Sequence, residues 1–499
     1  MQNKNLYAAI DLGSNSYRLE IGRLENGHLR RVEYIKETVR QGNGLDAERN
    51  LTEDAMARGL ACLARFAERI AGFKPSHVRA VATQTLREAR NRDVFLLAAR
   101  KSLGFPIEVI AGREEARLIY LGVSHLLPDS DERRLVVDIG GRSTELILGQ
   151  GHSPHTLESY RLGSVAWSRK YFSDGQWTAT AFRSAEVAAK AVLDEALNLY
   201  PRSSWDQAYG SSGTIGAVAD ALLANGWPDG LITREALNWL VDKLLKAQRP
   251  EHLRLEGIKD DRRPVIGGGL AVLRAVFDLL QIEEMRPAQG ALRQGALYDL
   301  LDRENPQTDV RTRMIEWLAS HFGTDRVQAE RVGRTAKGLF ELAVGSQCDA
   351  KTLERGQRKL QWAAQVHEIG MQISHTDYHK HGAYILENTD LQGFTVDELH
   401  RLGLLVLGHR GKLRKLEDAL HDSIFVQQLL SLRLAVILCH ARREPSLQDL
   451  QLQQDKNTLS FRLTLPSGWE NQYPQSAHLL REECLAWQRS PWRLELRFS

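Results

Sequence analysis

The sequence predicts an α/β protein built from two homologous lobes, followed by a long helical region and a small C-terminal α/β segment. Three observations predict this. A pattern spanning residues 11–22 recurs at 138–149, strand and helix signals alternate after each copy, and helical spacing dominates from about residue 306.

The two copies read DLGSNSYRLEIG and DIGGRSTELILG. In register they share Asp, Leu or Ile, Gly, then Ser, then Leu, an aliphatic residue and Gly. Each follows an apolar strand, YAAI or RLVV, and enters an alternating strand, a turn (ENG or GQG) and a third strand. Self-similarity at this separation indicates paired lobes, because solenoid repeats recur at much shorter periods. In the first lobe, 1–125, LTEDAMARGLACLARFAERIAGF has helical spacing with Thr52 as N-cap. Strand VRAVAT, helix NRDVFLLAARKSLG, strand PIEVIAG and helix REEARLIYLGVSHLL complete it. The second lobe, 126–305, repeats the plan with helix AFRSAEVAAKAVLDEALNLY, strand DQAYG and helix GTIGAVADALLANG. Apolar spacing in TRMIEWLASHF, AERVGRTAKGLFELAV and LRLAVILCHARR marks a helical domain over 306–445. Alternation in LSFRLTLP and RLELRF marks a small α/β domain over 446–499.

Bulk properties narrow the function classes. A chain of 499 residues exceeds what one core can organise. Hydrophobic residues at 42% and charged residues at 26% are the proportions of a soluble globular protein. With 66 basic against 63 acidic residues there is no excess for coating nucleic acid, so DNA is not an expected partner. Cys62, Cys348, Cys439 and Cys484 lack paired spacing, which fits reduced thiols rather than a zinc or disulfide framework. Neither a secretory leader nor a membrane-spanning run is present, and a cytoplasmic location is expected.

The repeated turn has a chemical use. Gly13 and Gly140, with Gly141, allow close backbone approach to a ligand and expose N–H groups at the mouth of the turn. Ser14, Asn15, Ser16, Ser143 and Thr144 add hydroxyl and amide donors. Two such hairpins facing one another would grip a phosphate chain from both sides. A single copy would more readily be an ordinary tight turn whose Asp and Ser satisfy local backbone. Ser211, Ser212, Gly213 and Thr214 form a strand-to-helix loop whose N–H groups and positive helix end suit an anion. Glu114 and Glu115 begin a helix after strand PIEVI. They can serve as a base that orients water or merely complement the helix dipole.

DLGSNS, GREEARLIYLGV, DIGGRSTEL, GSSGT and GALRQG, in this order, resemble the exopolyphosphatase/guanosine pentaphosphate phosphohydrolase (Ppx/GppA) family. The resemblance covers nearly the whole chain. Its C-terminal part, with HKHGAYIL and GHRGKLRKL, looks like the exopolyphosphatase branch. It implies two actin-like, ribonuclease H-like lobes and an HD-like all-α domain. It also implies hydrolysis of phosphoanhydrides, with Glu115 as general base and with Asp138 and Glu145 as functional carboxylates. Those two, with Asp11 as the symmetric candidate, would hold Mg²⁺; K⁺ would stimulate, and the enzyme would be a homodimer. Arg87, and less directly Arg40, would bind phosphates through the planar guanidinium fork. The chain departs from the family at Arg142, where a third glycine is usual, and at Gln289 and Gln294, where acidic residues are usual; Arg293 remains. Arg142 either contacts substrate or narrows the turn.

In the helical domain, His367, Glu368, His379, His381, His409 and Cys439 invite a metal reading. Glu368 stands where a His-Asp site would need Asp, so a catalytically silent domain of that shape is expected. His409, Arg410, Lys412, Arg414 and Lys415, with Arg433, Arg442 and Arg443, suit either a polyanion path or a solvated basic face. The leading expectation is an exopolyphosphatase releasing orthophosphate from inorganic polyphosphate. The alternative substrate is guanosine pentaphosphate. A small-molecule kinase of the same superfamily and a non-enzymatic nucleotide-binding regulator are weaker readings.

Overall fold

Each copy of the duplicated pattern opens a β-sheet, and the two sheets share one strand order. The computed structural model describes residues 5–25, 28–228, 231–303, 309–345, 348–447, 450–455 and 458–498, which fall into two units, 1–309 and 310–499. In the first unit, β1 (Leu6–Leu12), β2 (Ser16–Glu25), β3 (His28–Thr38), β4 (Val78–Ala82) and β5 (Ile107–Val109) form a sheet ordered β3-β2-β1-β4-β5. The second sheet comprises β6 (Arg133–Ile139), β7 (Thr144–Gln150), β8 (Ser153–Tyr160), β9 (Gln207–Ser211), β10 (Ile232–Thr233) and β11 (Glu284–Pro287). Its order, β10-β11-β9-β6-β7-β8, repeats the first sheet and adds β10 at the edge. In both, an antiparallel hairpin pair meets parallel strands at the central strand. The likeness extends to irregularities: the register shifts at Ile21/Gly22 and at Leu148/Gly149, equivalent positions in the two copies. The second GQG turn carries Gly151 at φ +52°, a left-handed conformation suited to glycine. Asn26 and Gly27 of the first ENG turn lie outside the described residues.

The lobes exchange their last helices. Helix Gly112–Ser124 follows the first sheet in sequence, yet Ile119, Tyr120 and Val123 pack with Val136, Ile147 and Leu157 of the second. Helix Leu292–Arg303 ends the second lobe, yet Ala296, Leu297 and Leu300 pack on Tyr7 and Ala9 of the first. Small residues make the crossing possible. A Cβ on Gly295 would stand 1.7 Å from the Leu118 carbonyl oxygen, and one on Gly122 would stand 2.1 Å from that of Ala291. Beneath the crossing, Arg79, Glu114, Arg117 and Asp299 form a buried ionic lattice in which Arg79 and Arg117 both reach Asp299 and Glu114. Buried charges of this kind are tolerable only when paired and hydrogen-bonded.

In the second unit, helices spanning 310–438 and the sheet of β12 (Gln451–Asp455), β13 (Ser460–Leu465) and β14 (Arg493–Phe498) share one apolar core. Three of its histidines, His367, His379 and His409, are buried. His367 Nδ1 lies 2.7 Å from the Ala364 carbonyl, His409 Nδ1 lies 2.6 Å from that of Val406, and His379 Nε2 lies 2.7 Å from Lys415 Nζ. Burial, then Lys415 and Arg410, push the His379 imidazole down to about 4. No helix among the described residues is long and apolar enough to cross a membrane.

Candidate active site

The two glycine turns face each other across a cavity of about 80 Å³ between the lobes. From the first lobe it is lined by Asp11, Gly13, Ser14, Asn15, Ser16 and Arg18. Gly140, Gly141, Arg142 and Ser143 line the opposite side, with Asp138 and Glu115 at its base. Glycine is needed for the turns' own closure: a Cβ on Gly13 would lie 2.9 Å from the Ser16 carbonyl oxygen, and one on Gly140 would lie 3.1 Å from that of Ser143. Ser14 Oγ accepts a 2.8 Å hydrogen bond from Thr85. Asn15 Nδ2 and Ser16 Oγ are buried without a hydrogen-bond partner among the described residues, as expected of polar groups prepared for a ligand.

Carboxylates gather below the turns. Strand pairing sets Asp138 opposite Glu145. Glu145 accepts a 2.6 Å hydrogen bond from Ser159 Oγ. Gly112 lets the helix carrying Glu115 press on the same serine, since a Cβ there would stand 2.6 Å from Ser159 Cβ. Burial raises the proton affinity of all three. For Asp138, burial reinforced by Glu115 and Asp11 outweighs Ser211 and Arg18, pushing the carboxyl up to about 7. Glu145 is driven well above its usual range by burial and by the charges of Glu115 and Asp138. Glu115 is raised by burial, against the opposing pull of Arg87, whose Nη1 lies 2.8 Å from Glu115 Oε2.

This donor set suits a hard divalent cation, because crowded buried carboxyls gain most from added positive charge. Among the described residues no three His, Cys, Asp or Glu side chains close into a ready-made metal cage. Mg²⁺ does not demand one, since it binds through one or two carboxylates together with waters and substrate phosphates.

Other expected residues have different surroundings. Thr144 donates its hydroxyl to the Leu162 carbonyl, Ser211 to that of Gly290, and Ser212 to that of Ile139. Ser212, at φ +86° where the helix begins, still lines the cavity together with Gly213, and Thr214 is buried. Arg40 is exposed in a left-handed turn. Gln294 bridges the Ala291 N–H and Glu20. Arg142 reaches across to the first lobe, to Glu88 and the Gly42 carbonyl.

Two arginines escaped sequence reasoning. Arg18 stands opposite Asp11 in the strand register, 3.1 Å from its carboxylate, just as Glu145 stands opposite Asp138. The duplication aligns Arg18 with Glu145, so the signal was available: one lobe presents a cation where the other presents an acid. Arg262 lies against Gly213 and, among the described residues, has no ion-pair partner. Burial and then Arg18 hold its guanidinium below the usual value, the mark of a cation short of an anion. Arg18, Arg262 and Arg293 also line an adjoining hollow of about 300 Å³ with Tyr34, Lys36, Lys259 and Gln289. Arg293 sits over the Tyr34 ring, 5.0 Å from its centre.

Comparison with known proteins agrees with this geometry. The model of the Ppx/GppA phosphatase family matches residues 21–304, and that of Ppx/GppA phosphatase domain III matches 310–484. A guanosine-5′-triphosphate,3′-diphosphate pyrophosphatase of Vibrio atlanticus is 41% identical over 96% of this chain and 95% of its own. The crystal structure of the Aquifex aeolicus Ppx/GppA family member is 26% identical, with TM-score 0.52, over 60% of this chain and 99% of its own. An exopolyphosphatase structure from Cytophaga hutchinsonii is 25% identical, with TM-score 0.53, over 60% and 98%.

Proposed function

This chain belongs to the Ppx/GppA phosphatase family and hydrolyses phosphoanhydrides, and from that premise we propose that it removes the terminal phosphate of guanosine pentaphosphate. The sequence reading ranked inorganic polyphosphate first and placed the C-terminal region nearer the exopolyphosphatase branch. The relative named for the guanosine nucleotide, at 41% identity over nearly full length, favours the alternative.

The observation that carries the choice is the second hollow. A linear polyphosphate needs only a cationic track, whereas this substrate has a base, a ribose and a second phosphate arm. The adjoining space offers Tyr34 for stacking and Arg18, Lys36, Lys259, Arg262 and Arg293 for charge. Lys36 is already paired with Asp261 at 2.8 Å, Arg18 with Asp11 at 3.1 Å and Arg293 with Glu20 at 3.4 Å, which leaves Arg262 and Lys259 as the lining cations without an ion pair among the described residues.

In this reading the glycine turns hold the 5′-triphosphate, with Asn15 Nδ2 and Ser16 Oγ donating to its oxygens. Glu115 accepts a proton as the water oxygen bonds to the terminal phosphorus. The bridging P–O bond breaks, and its electron pair stays on the departing diphosphate, giving orthophosphate and the tetraphosphate. Asp138 and Glu145, with Asp11 opposite, would hold Mg²⁺, which when bound neutralises charge on phosphoryl oxygens. Arg87 opposes the effect of burial on Glu115 and favours its ionised form.

The test is phosphate release from guanosine pentaphosphate, polyphosphate and ATP by wild type and Glu115→Gln, with and without Mg²⁺. Wild type should prefer the guanosine nucleotide, and the variant should lose about 10²–10⁴-fold in turnover while still binding it. Equal turnover would remove Glu115 from the chemistry; preference for polyphosphate would restore the first-ranked substrate.

A further inference from the structure

Arg142 follows Gly141 in the second glycine turn, and its guanidinium reaches from there into the opposite lobe. Nη2 donates to Glu88 Oε2 at 2.7 Å and Nη1 to the Gly42 carbonyl at 3.3 Å, both in the opposite lobe. The other Glu88 oxygen accepts from Gln84 Nε2 at 2.6 Å. Gln84 Oε1 in turn accepts from Arg87 Nε at 3.1 Å and from Nη2 at 2.7 Å. Arg87 Nη1 completes the run by donating to Glu115 Oε2 at 2.8 Å and to the Ile110 carbonyl at 2.8 Å. The Gln84 amide has only one useful orientation here, since its oxygen faces a guanidinium and its nitrogen a carboxylate.

We propose that Arg142 and Glu88 form a latch between the lobes that, through Gln84 and Arg87, holds Glu115 in position for hydrolysis. Both are positioning residues, since neither touches the reacting atoms, and the role rests on the assignment of Glu115 as base. The pair is sheltered enough to matter: the side chains are 22% and 16% exposed. Burial pushes the Glu88 carboxyl up, but the Gln84 and Arg142 contacts outweigh it and keep the group below its ordinary value. Without Arg142, Glu88 loses its cation and Gln84 loses its reason to hold Arg87 square to Glu115. A displacement of this kind, well away from the bond being broken, is sufficient to slow a reaction that depends on alignment.

The experiment compares full-length wild type, Arg142→Ala, Glu88→Gln, the double variant and Arg142→Lys. Steady-state phosphate release would be read with amide hydrogen exchange over residues 41–44. Each single loss should lower kcat by about five- to tenfold with KM changed less than about twofold, and the double variant should be no worse than either. Arg142→Lys should retain most activity, because it keeps the pairing with Glu88. Exchange over 41–44 should quicken in Arg142→Ala without substrate. If Glu88→Gln behaves as wild type while Arg142→Ala raises KM, Arg142 is a substrate contact and the latch is overturned. Additive losses, or unchanged exchange, overturn it equally. The exchange arm needs no turnover, so it tests the latch even if Glu115 proves not to be the base.

Discussion

At Asp138 the protein holds a carboxyl near neutrality, and the direction of the linkage is specific. Its folded-state value of about 7 lies above the ordinary 3.8, so the folded chain binds more protons than the unfolded one between those limits. Stability therefore falls as pH rises through that window, and the full penalty, on the order of a few kcal/mol, is present above it. Asp138→Asn should raise the melting temperature at pH 8, leave it nearly unchanged at pH 4, and abolish most turnover. Such an exchange of stability for function is expected where a site crowds like charges. Arg262 calls for the opposite experiment. As a half-buried cation without a carboxylate partner among the described residues, it should be removable with folding intact. Arg262→Ala should raise KM for guanosine pentaphosphate by at least about tenfold, roughly the worth of one charge-assisted contact. Glu115, Asp138 and Glu145 were legible in the sequence because motif order carries them. Arg262 was not, because an arginine between helices has no periodic or spacing signal; only the fold brings it to Gly213.

At the scale of elements, the hairpins and their shared register were readable from alternation and duplication, down to the aligned glycines at the two bulges. The exchange of helices Gly112–Ser124 and Leu292–Arg303 was not. Amphipathic spacing reveals that a helix has an apolar face but not which sheet receives it. The two-residue β10 is likewise too short for a period to register. The crossing yields a sharp prediction, since Leu118 leaves no room for a side chain at 295. Gly295→Val should destabilise by about 1–3 kcal/mol or more in urea unfolding, whereas the same change at Gly216, inside a helix where a Cβ meets nothing within 4 Å, should be neutral or slightly stabilising because valine is the better helix former.

For the whole molecule, the division after residue 309 has a counterpart in the comparisons. The Aquifex aeolicus chain is matched over 99% of its length by 60% of this one. Both large sheets and the apolar clusters packed on them lie within the first unit. Residues 1–309 produced alone should melt cooperatively; a broad, non-cooperative transition would show that the core needs the rest of the chain.

The helix exchange also decides which charges travel together. Glu115 rides on a helix seated against the second sheet, beside Asp138 and Glu145, whereas Arg87, Asp11 and Arg18 belong to the first. Were the lobes to swing apart, three acids would remain as neighbours while the guanidinium that tempers them withdrew. The 2.8 Å pair between Arg87 and Glu115 therefore ties the two lobes together and lasts only while they stay joined.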